Sequence, residues 1–205
     1  MIDGPAGDDS LAPLGRGEIV AVTMFFADLV DSTALSARME PETYRMVVGR
    51  YREQVLHAVE RHQGRIGSTK GDGLLAVFGH PISRSDDAHR AIRAGLEIVR
   101  EVSRLSEQVE RRWGFRVEVR VGVHSGPAYL AADLDGAQPD FAGSTANQAT
   151  RISGLASPGA VVITPELLAT VGDDFDLQAQ SSPQAGDPEE KVIYLRVLSE
   201  RLPSR

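Results

Sequence analysis

Ile19-Val20-Ala21-Val22-Thr23-Met24-Phe25-Phe26 is an apolar run broken by a single threonine, and it stops at Ala27-Asp28. β-Branched and aromatic residues in succession read as a strand. A strand without polar alternation reads as a central one, with other strands on both sides. A chain that opens this way must build a sheet around its first strand. Its 205 residues suffice for one domain with a full-sized core. The acidic, Gly- and Pro-containing residues 1–17 read as a flexible lead-in, and 18–205 as that domain.

The following segments supply the neighbours. Leu29-Val30-Asp31-Ser32-Thr33 carries cap-type residues and predicts the start of a short helix. Pro41-Glu42 opens a longer helix with Tyr44, Val47, Val48, Tyr51, Val55 and Val59 at helical spacing. Arg65 to Lys70, Gly71-Asp72-Gly73 and Leu74 to Phe78 read as strand, tight turn and strand. A second long helix is expected from Ser85 to about Val109. Phe115 to Val123 and Ala128 to Ala131 are expected to form another strand pair, turning at Ser125-Gly126-Pro127. Gly143 to Leu155 reads as a helix, Ala160 to Thr164 as a strand and Pro165 to Val171 as a short helix. Phe175 to Leu177 and Val192 to Leu198 read as late strands around a polar loop, Gln180 to Glu190. This order predicts an α+β fold. Its ferredoxin-like βαββαβ core has a mainly antiparallel sheet, helices over one face, and extra C-terminal strands.

Composition removes several functions. With no cysteine there is no disulfide, thiolate metal site or cysteine nucleophile. A net charge of −7 argues against nucleic acid as a partner. No apolar run nears the ~20 residues of a membrane helix, and no signal-peptide pattern opens the chain. A cytoplasmic chain without membrane contact is therefore expected. If such an acidic domain handles a polyanion, it needs local positive charge, which divalent metal supplies.

Three constellations could carry chemistry. Asp28 stands where the apolar strand breaks, and Asp72 at the tip of a hairpin. Alone, the first is ordinarily a helix cap and the second a turn residue. If the hairpin lies beside the first strand, both carboxylates reach one sheet edge. There they could hold two divalent cations, with substrate phosphates completing the shell. The backbone from Leu29 to Thr33 offers helix-start amides to phosphate, and equally reads as a plain helix start. Asn147 and Arg151 share one helix face at i and i+4. An amide and a guanidinium there suit a ribose and a phosphoryl group, and equally a polar surface pair.

Four segments in order resemble the class III adenylyl and guanylyl cyclases, over roughly Glu18 to Leu198. Met24-Phe25-Phe26-Ala27-Asp28-Leu29-Val30-Asp31-Ser32-Thr33 is similar to the family's first metal motif. Gly71-Asp72-Gly73-Leu74-Leu75-Ala76-Val77-Phe78-Gly79 is similar to its second. Val119-Arg120-Val121-Gly122-Val123-His124-Ser125-Gly126 resembles its central strand motif. Asp140-Phe141-Ala142-Gly143-Ser144-Thr145-Ala146-Asn147-Gln148-Ala149-Thr150-Arg151 resembles its transition-state helix.

The resemblance implies that Asp28, Asp72 and the Leu29 backbone hold two Mg²⁺ or Mn²⁺ ions. It implies that Val30, Asp31, Ser32, Thr33 and Arg120 meet the phosphates of a nucleoside triphosphate. Asn147 would orient the ribose, and Arg151 would stabilise the α-phosphoryl as the 3′-hydroxyl attacks and pyrophosphate leaves. It also implies an antiparallel homodimer, with the aspartates from one subunit and Asn147 with Arg151 from the other. His124 matches too, but its apolar neighbours make it a structural strand residue.

The pattern is broken at the base. Adenylyl cyclases read adenine with a lysine and an aspartate. Here Ser68 takes the lysine position, while Asp140 fits the aspartate. Lys70 shares Ser68's strand face at i+2 and lies about 6–7 Å further along. The leading expectation is conversion of ATP to cyclic AMP. Alternatives are a cyclase for GTP, CTP or UTP, and a catalytically weak nucleotide-sensing domain.

Overall fold

A computed structural model describes residues 18–130, 141–184 and 187–201. In chain order the elements are β1 (Glu18–Leu29), α1 (Ser32–Arg38), α2 (Pro41–Arg61), β2 (Arg65–Lys70), β3 (Gly73–Phe78), α3 (Asp87–Trp113), β4 (Val119–Leu130), β5 (Phe141–Ala142), α4 (Ser144–Leu155) and β6 (Val161–Ile163). A 3₁₀ turn (Pro165–Leu167), α5 (Leu168–Val171), β7 (Phe175–Gln184) and β8 (Asp187–Glu200) follow. The strands form one mixed sheet in the order β2-β3-β1-β4-β6-β8-β7, with β5 paired to β4. Among the described strands only β4 and β6 run parallel.

The expected central strand is central. β1 pairs antiparallel with β3 on one side and with β4 on the other. Its side chains alternate between two cores. Phe25, Ala27 and Leu29 pack with Tyr51, Val55 and Val59 of α2 and Ile92 and Ile98 of α3. Val22 and Met24 pack on the opposite face with Leu75, Val77, Ala128 and Ala149 of α4. Helices therefore cover both faces, not one. The nearly continuous apolar run of β1 calls for this, because roughly 1.5–3 kcal/mol comes from each large side chain fully buried, and the neighbours Met24 and Phe25, on opposite faces, are both fully buried.

Two other expectations change. Val119 to Leu130 is one strand, paired with β1 from Glu18↔Leu130 to Leu29↔Val119. Ser125-Gly126-Pro127 lies inside it and makes no turn. β6 flanks β4 only at 121–123 and β5 only at 129–130, so proline sits where that edge has no strand neighbour. Likewise β7 and β8 pair from Phe175↔Glu200 to Gln184↔Asp187, so most of the expected loop is a long hairpin.

Beyond the C-terminal end of β3, a buried ion pair ties three elements together. Asp87 and Arg90 of α3 are bonded to each other. Arg90 also donates to the carbonyls of His62 (2.8 Å) and Gln63 (3.1 Å), which end α2. Its guanidinium stacks over Phe78, 5.8 Å from the ring centroid. Asp87 accepts further bonds from the Arg84 amide (2.8 Å) and the Ser83 hydroxyl (3.3 Å).

Candidate active site

The opposite end of β3 carries the candidate carboxylates. Asp28 stands next to last in β1, directly across from Arg120 of β4. The Arg120 guanidinium donates to Asp28 Oδ2 at 3.2 Å and to the Gly154 carbonyl of α4 at 3.3 Å. Both side chains are about a quarter exposed. Asp72 occupies the β2–β3 turn. Ala27 pairs with Leu74, so this turn lies beside the end of β1, as the sequence predicts. Lys70 pairs with Gly73, which leaves Gly71 and Asp72 as a two-residue turn with glycine first. Gly71 has φ 64°, a left-handed conformation that glycine adopts without strain. Arg52 of α2 donates to the Gly71 carbonyl and pins the turn.

Burial raises the pKa of Asp28 above the usual carboxylate value. The charge of Asp72 raises it further, while Arg120 and the Leu29 amide work against both. The site is also short of partners. Asp72 Oδ2, the Tyr51 hydroxyl and Arg120 Nε are buried with no hydrogen bond. Among the described residues only His89 Nδ1 shares that condition elsewhere. Buried polar atoms are nearly always satisfied, so a local group of exceptions marks a place shaped for something further. Two carboxylates with a spare buried oxygen and mutual repulsion fit a hard divalent cation. Among the described residues no cluster of three or more acidic or histidine side chains competes for that role. A pair leaves most of a six-oxygen shell to phosphate, water or backbone carbonyl.

The backbone after Asp28 is partly committed. The Val30 amide donates to the Glu118 carbonyl at 2.9 Å, so it faces β4 and not an anion. Asp31 turns left-handed at φ 50° and caps α1 without a side-chain bond. The first amides of α1, around Ser32 and Thr33, have no acceptor within the helix. Tyr44 of α2 carries a half-buried phenol within reach of the charge of Asp72. Burial, then the charge of Asp72, raise the pKa of that phenol.

α4 lies against β4, with Thr145, Ala149, Ile152 and Ser153 inward. The approach is close at Gly122. A Cβ there would collide with the Ala149 carbonyl oxygen and sit 2.7 Å from the Ser153 nitrogen. Asn147 and Arg151 fall on the outer face, both exposed. Among the described residues neither bonds to Asp28 or Asp72. The chain thus brings the aspartates together with Arg120, and keeps Asn147 and Arg151 apart from them. Arg120 alone spans the two regions.

Ser68 is exposed in β2, opposite Leu75 and just past a bulge. Lys70 pairs with Gly73, on the same strand face, but its side chain and all of Asp140 lie outside the described residues. His124 shares a hydrogen bond with Thr164 Oγ1 at 2.7 Å. Burial lowers its pKa, against the pull of Glu166. It is a neutral structural strand residue, in keeping with its apolar neighbours.

Sequence reasoning missed the contribution of α2. Tyr51 reads as a core position, yet its phenol pKa is raised well above normal by burial and then by Asp28 and Asp72. The available signal was a tyrosine at a fully inward helical position, where a hydroxyl needs a partner.

A family model described as the adenylate and guanylate cyclase catalytic domain matches residues 16–191. The chain belongs to this family. Among cyclase relatives, an adenylate cyclase of Glutamicibacter nicotianae is 30% identical over 179 residues, which is 84% of this chain and 37% of that protein. Adenylate cyclase 1 of Rhizobium meliloti is 26% identical over 137 residues, 65% of this chain and 20% of that protein. The chain therefore spans well under two thirds of the length of the curated relatives it matches. The guanylyl cyclase Cya2 superposes with a TM-score of 0.81 at 24% identity, covering 91% of this chain and 96% of that one. The adenylyl cyclase CyaB of P. aeruginosa gives 0.77 at 21% identity, covering 91% and 97%. A non-canonical dimeric guanylyl cyclase domain of the RhoGC fusion protein from the aquatic fungus Blastocladiella emersonii gives 0.76 at 22%, covering 90% and 99%. These structures share the cyclase fold of this chain. No helix among its described residues is long and apolar enough to cross a membrane.

Proposed function

We propose that this cyclase domain converts a nucleoside triphosphate, first of all ATP, into its 3′,5′-cyclic monophosphate and pyrophosphate. The observation that carries this reading is the carboxylate pair at one sheet end, with Asp72 Oδ2 buried and unpartnered and Asp28 pushed toward its neutral form. Asp28, Asp72 and the Leu29 carbonyl would hold two Mg²⁺ or Mn²⁺ ions. Bound there, these supply charge neutralisation for the triphosphate and acidify the attacking hydroxyl. The amides of Asp31, Ser32 and Thr33 cradle phosphate oxygens. Arg120 exchanges its bond with Asp28 for one with the phosphates.

Asn147 and Arg151 act on a second copy. Both are exposed and turned away from their own aspartates, which supports a site completed across an antiparallel homodimer. Asn147 orients the ribose and Arg151 meets charge on the α-phosphoryl. The 3′-oxygen then bonds to the α-phosphorus while the bond to the pyrophosphate oxygen breaks, and the hydroxyl proton leaves to solvent. Ser68 and Asp140, with Lys70 in reach of the same face, surround the base. Ser68 in place of a lysine is the observation that favours a second reading, turnover of GTP, CTP or UTP.

Turnover of the four triphosphates with Mn²⁺, using Asp28→Ala as the blank, decides between them. The expected product is cyclic AMP. Preference for another base replaces ATP with that base, and absence of product from purified dimer at every metal concentration removes the catalytic reading. The dimer is tested by mixing Asp72→Ala with Arg151→Ala, each inactive alone. Random exchange gives heterodimers with one intact site and about a quarter of wild-type activity. No recovery counts against the shared site.

A further inference from the structure

Tyr51 is buried in full beneath the carboxylate end of the sheet, among Phe25, Ala27, Leu29 and Leu74. A phenylalanine would fill that space as well and would spare the chain an unpaired buried hydroxyl, which costs about 1–3 kcal/mol. The next residue, Arg52, donates to the Gly71 carbonyl, so this turn of α2 is already fastened to the loop that carries Asp72. One helical segment thus presents a bonded guanidinium to the backbone of the turn and an unbonded phenol beneath it. The matching acceptor is at hand, since Asp72 Oδ2 is buried and unpartnered too. A phenol hydroxyl is a donor as well as an acceptor, so it can meet a carboxylate oxygen.

We infer that Tyr51 is a positioning residue of the metal site: its hydroxyl donates to the inner oxygen of Asp72, directly or through one water, when a cation holds the outer oxygen. This rests on the reading of Asp28 and Asp72 as metal ligands. A donor behind a ligating carboxylate fixes which lone pair faces the metal, and it keeps the carboxylate from rotating toward the neighbouring Asp28. α2 is then the bed of the site as well as part of the core.

The test is Tyr51→Phe in the full chain, with MnCl₂ as the only ligand and free Mn²⁺ followed by electron paramagnetic resonance. Removing a donor behind a metal ligand typically weakens metal binding about 10–100-fold. That loss is expected here, with the metal-free melting temperature unchanged or raised because an unpaired hydroxyl has gone. In turnover assays the Mn²⁺ requirement shifts upward by a similar factor, while kcat at saturating metal falls much less. Wild-type Mn²⁺ affinity in Tyr51→Phe overturns the inference and leaves Tyr51 a packing residue. Asp72→Asn separates the two levels. If wild type binds no Mn²⁺, or Asp72→Asn binds it as well as wild type does, the metal reading itself falls, and the role of Tyr51 with it.

Discussion

β3 runs from Gly73 to Phe78, and charge is buried beyond both of its ends. At the Phe78 end, Asp87 and Arg90 are each 7% exposed. Their bonds run to one another, to the end of α2 and to the loop before α3. At the Gly73 end, Asp28 has one guanidinium partner, Asp72 has a bare inner oxygen, and Tyr51 has none. A completed network holds the fold together, because removing either member strands the other. An incomplete one leaves buried polar atoms unpaired, at a cost to the fold. The degree of satisfaction, more than the presence of charge, distinguishes scaffold from site.

Substitutions at the two ends should therefore separate activity from stability. Asp72→Asn is expected to lower product formation at least about a thousandfold, about 4 kcal/mol of barrier. It should also raise the metal-free melting temperature by about 2–4 °C, since it relieves roughly 1 kcal/mol of repulsion. Turnover and calorimetry on the same preparation check both signs, and a lower melting temperature would break the contrast. Asp87→Ala should do the reverse. It takes from Arg90 its buried carboxylate and leaves the half-exposed Asp86, 3.1 Å from Arg90 Nε, as its remaining ion-pair partner, costing about 3 kcal/mol of stability in denaturant titration, the low end for a broken buried pair. The specific activity of the folded fraction stays near wild type.

A smaller effect follows from Asp28, whose folded pKa lies above 3.8. Between 3.8 and that raised value the folded chain holds more protons than the unfolded one. The metal-free chain thus gains stability from this group as pH falls through the window. Metal must displace the same proton, so Mn²⁺ affinity should weaken toward the acid end. Melting curves of wild type against Asp28→Asn, and Mn²⁺ titrations of wild type across that range, read the two trends. The smallest effect belongs to His124, with a folded pKa below 6.5. Its contribution is intact above pH 6.5 and is lost as pH falls through the folded value. A His124→Gln variant should show a flatter decline in melting temperature over that interval.

Much of this was legible in the residues themselves. The apolar run of β1 pointed to a central strand, but helices were expected over one face only, and the second cover, α4, came from the structure. Asp28 and Asp72 were readable as a pair because a strand end and a hairpin tip are positions where neighbours in the sheet can be anticipated. Pro127 misled, since proline marks a turn unless the adjoining edge happens to be open, and that depends on where β6 stops. The β7–β8 hairpin was hidden by its polar residues, which suit a strand at the sheet's edge. Tyr51 was invisible for another reason. A tyrosine among valines at helical spacing looks like core, and only the structure shows its hydroxyl buried without a partner at the carboxylate end.

The bond between Arg120 and Asp28 spans 92 positions of sequence. Closing so long a separation is slow, and it comes late in synthesis. A ribosome must release β4 before the carboxylate of β1 meets its counter-ion, by which time α1, α2, β2, β3 and α3 have all emerged. A fragment that stops short of β4 therefore leaves Asp28 without its counter-ion. The carboxylate end of the sheet is thus closed from two distant parts of the chain, and its charge balance waits on the later of them.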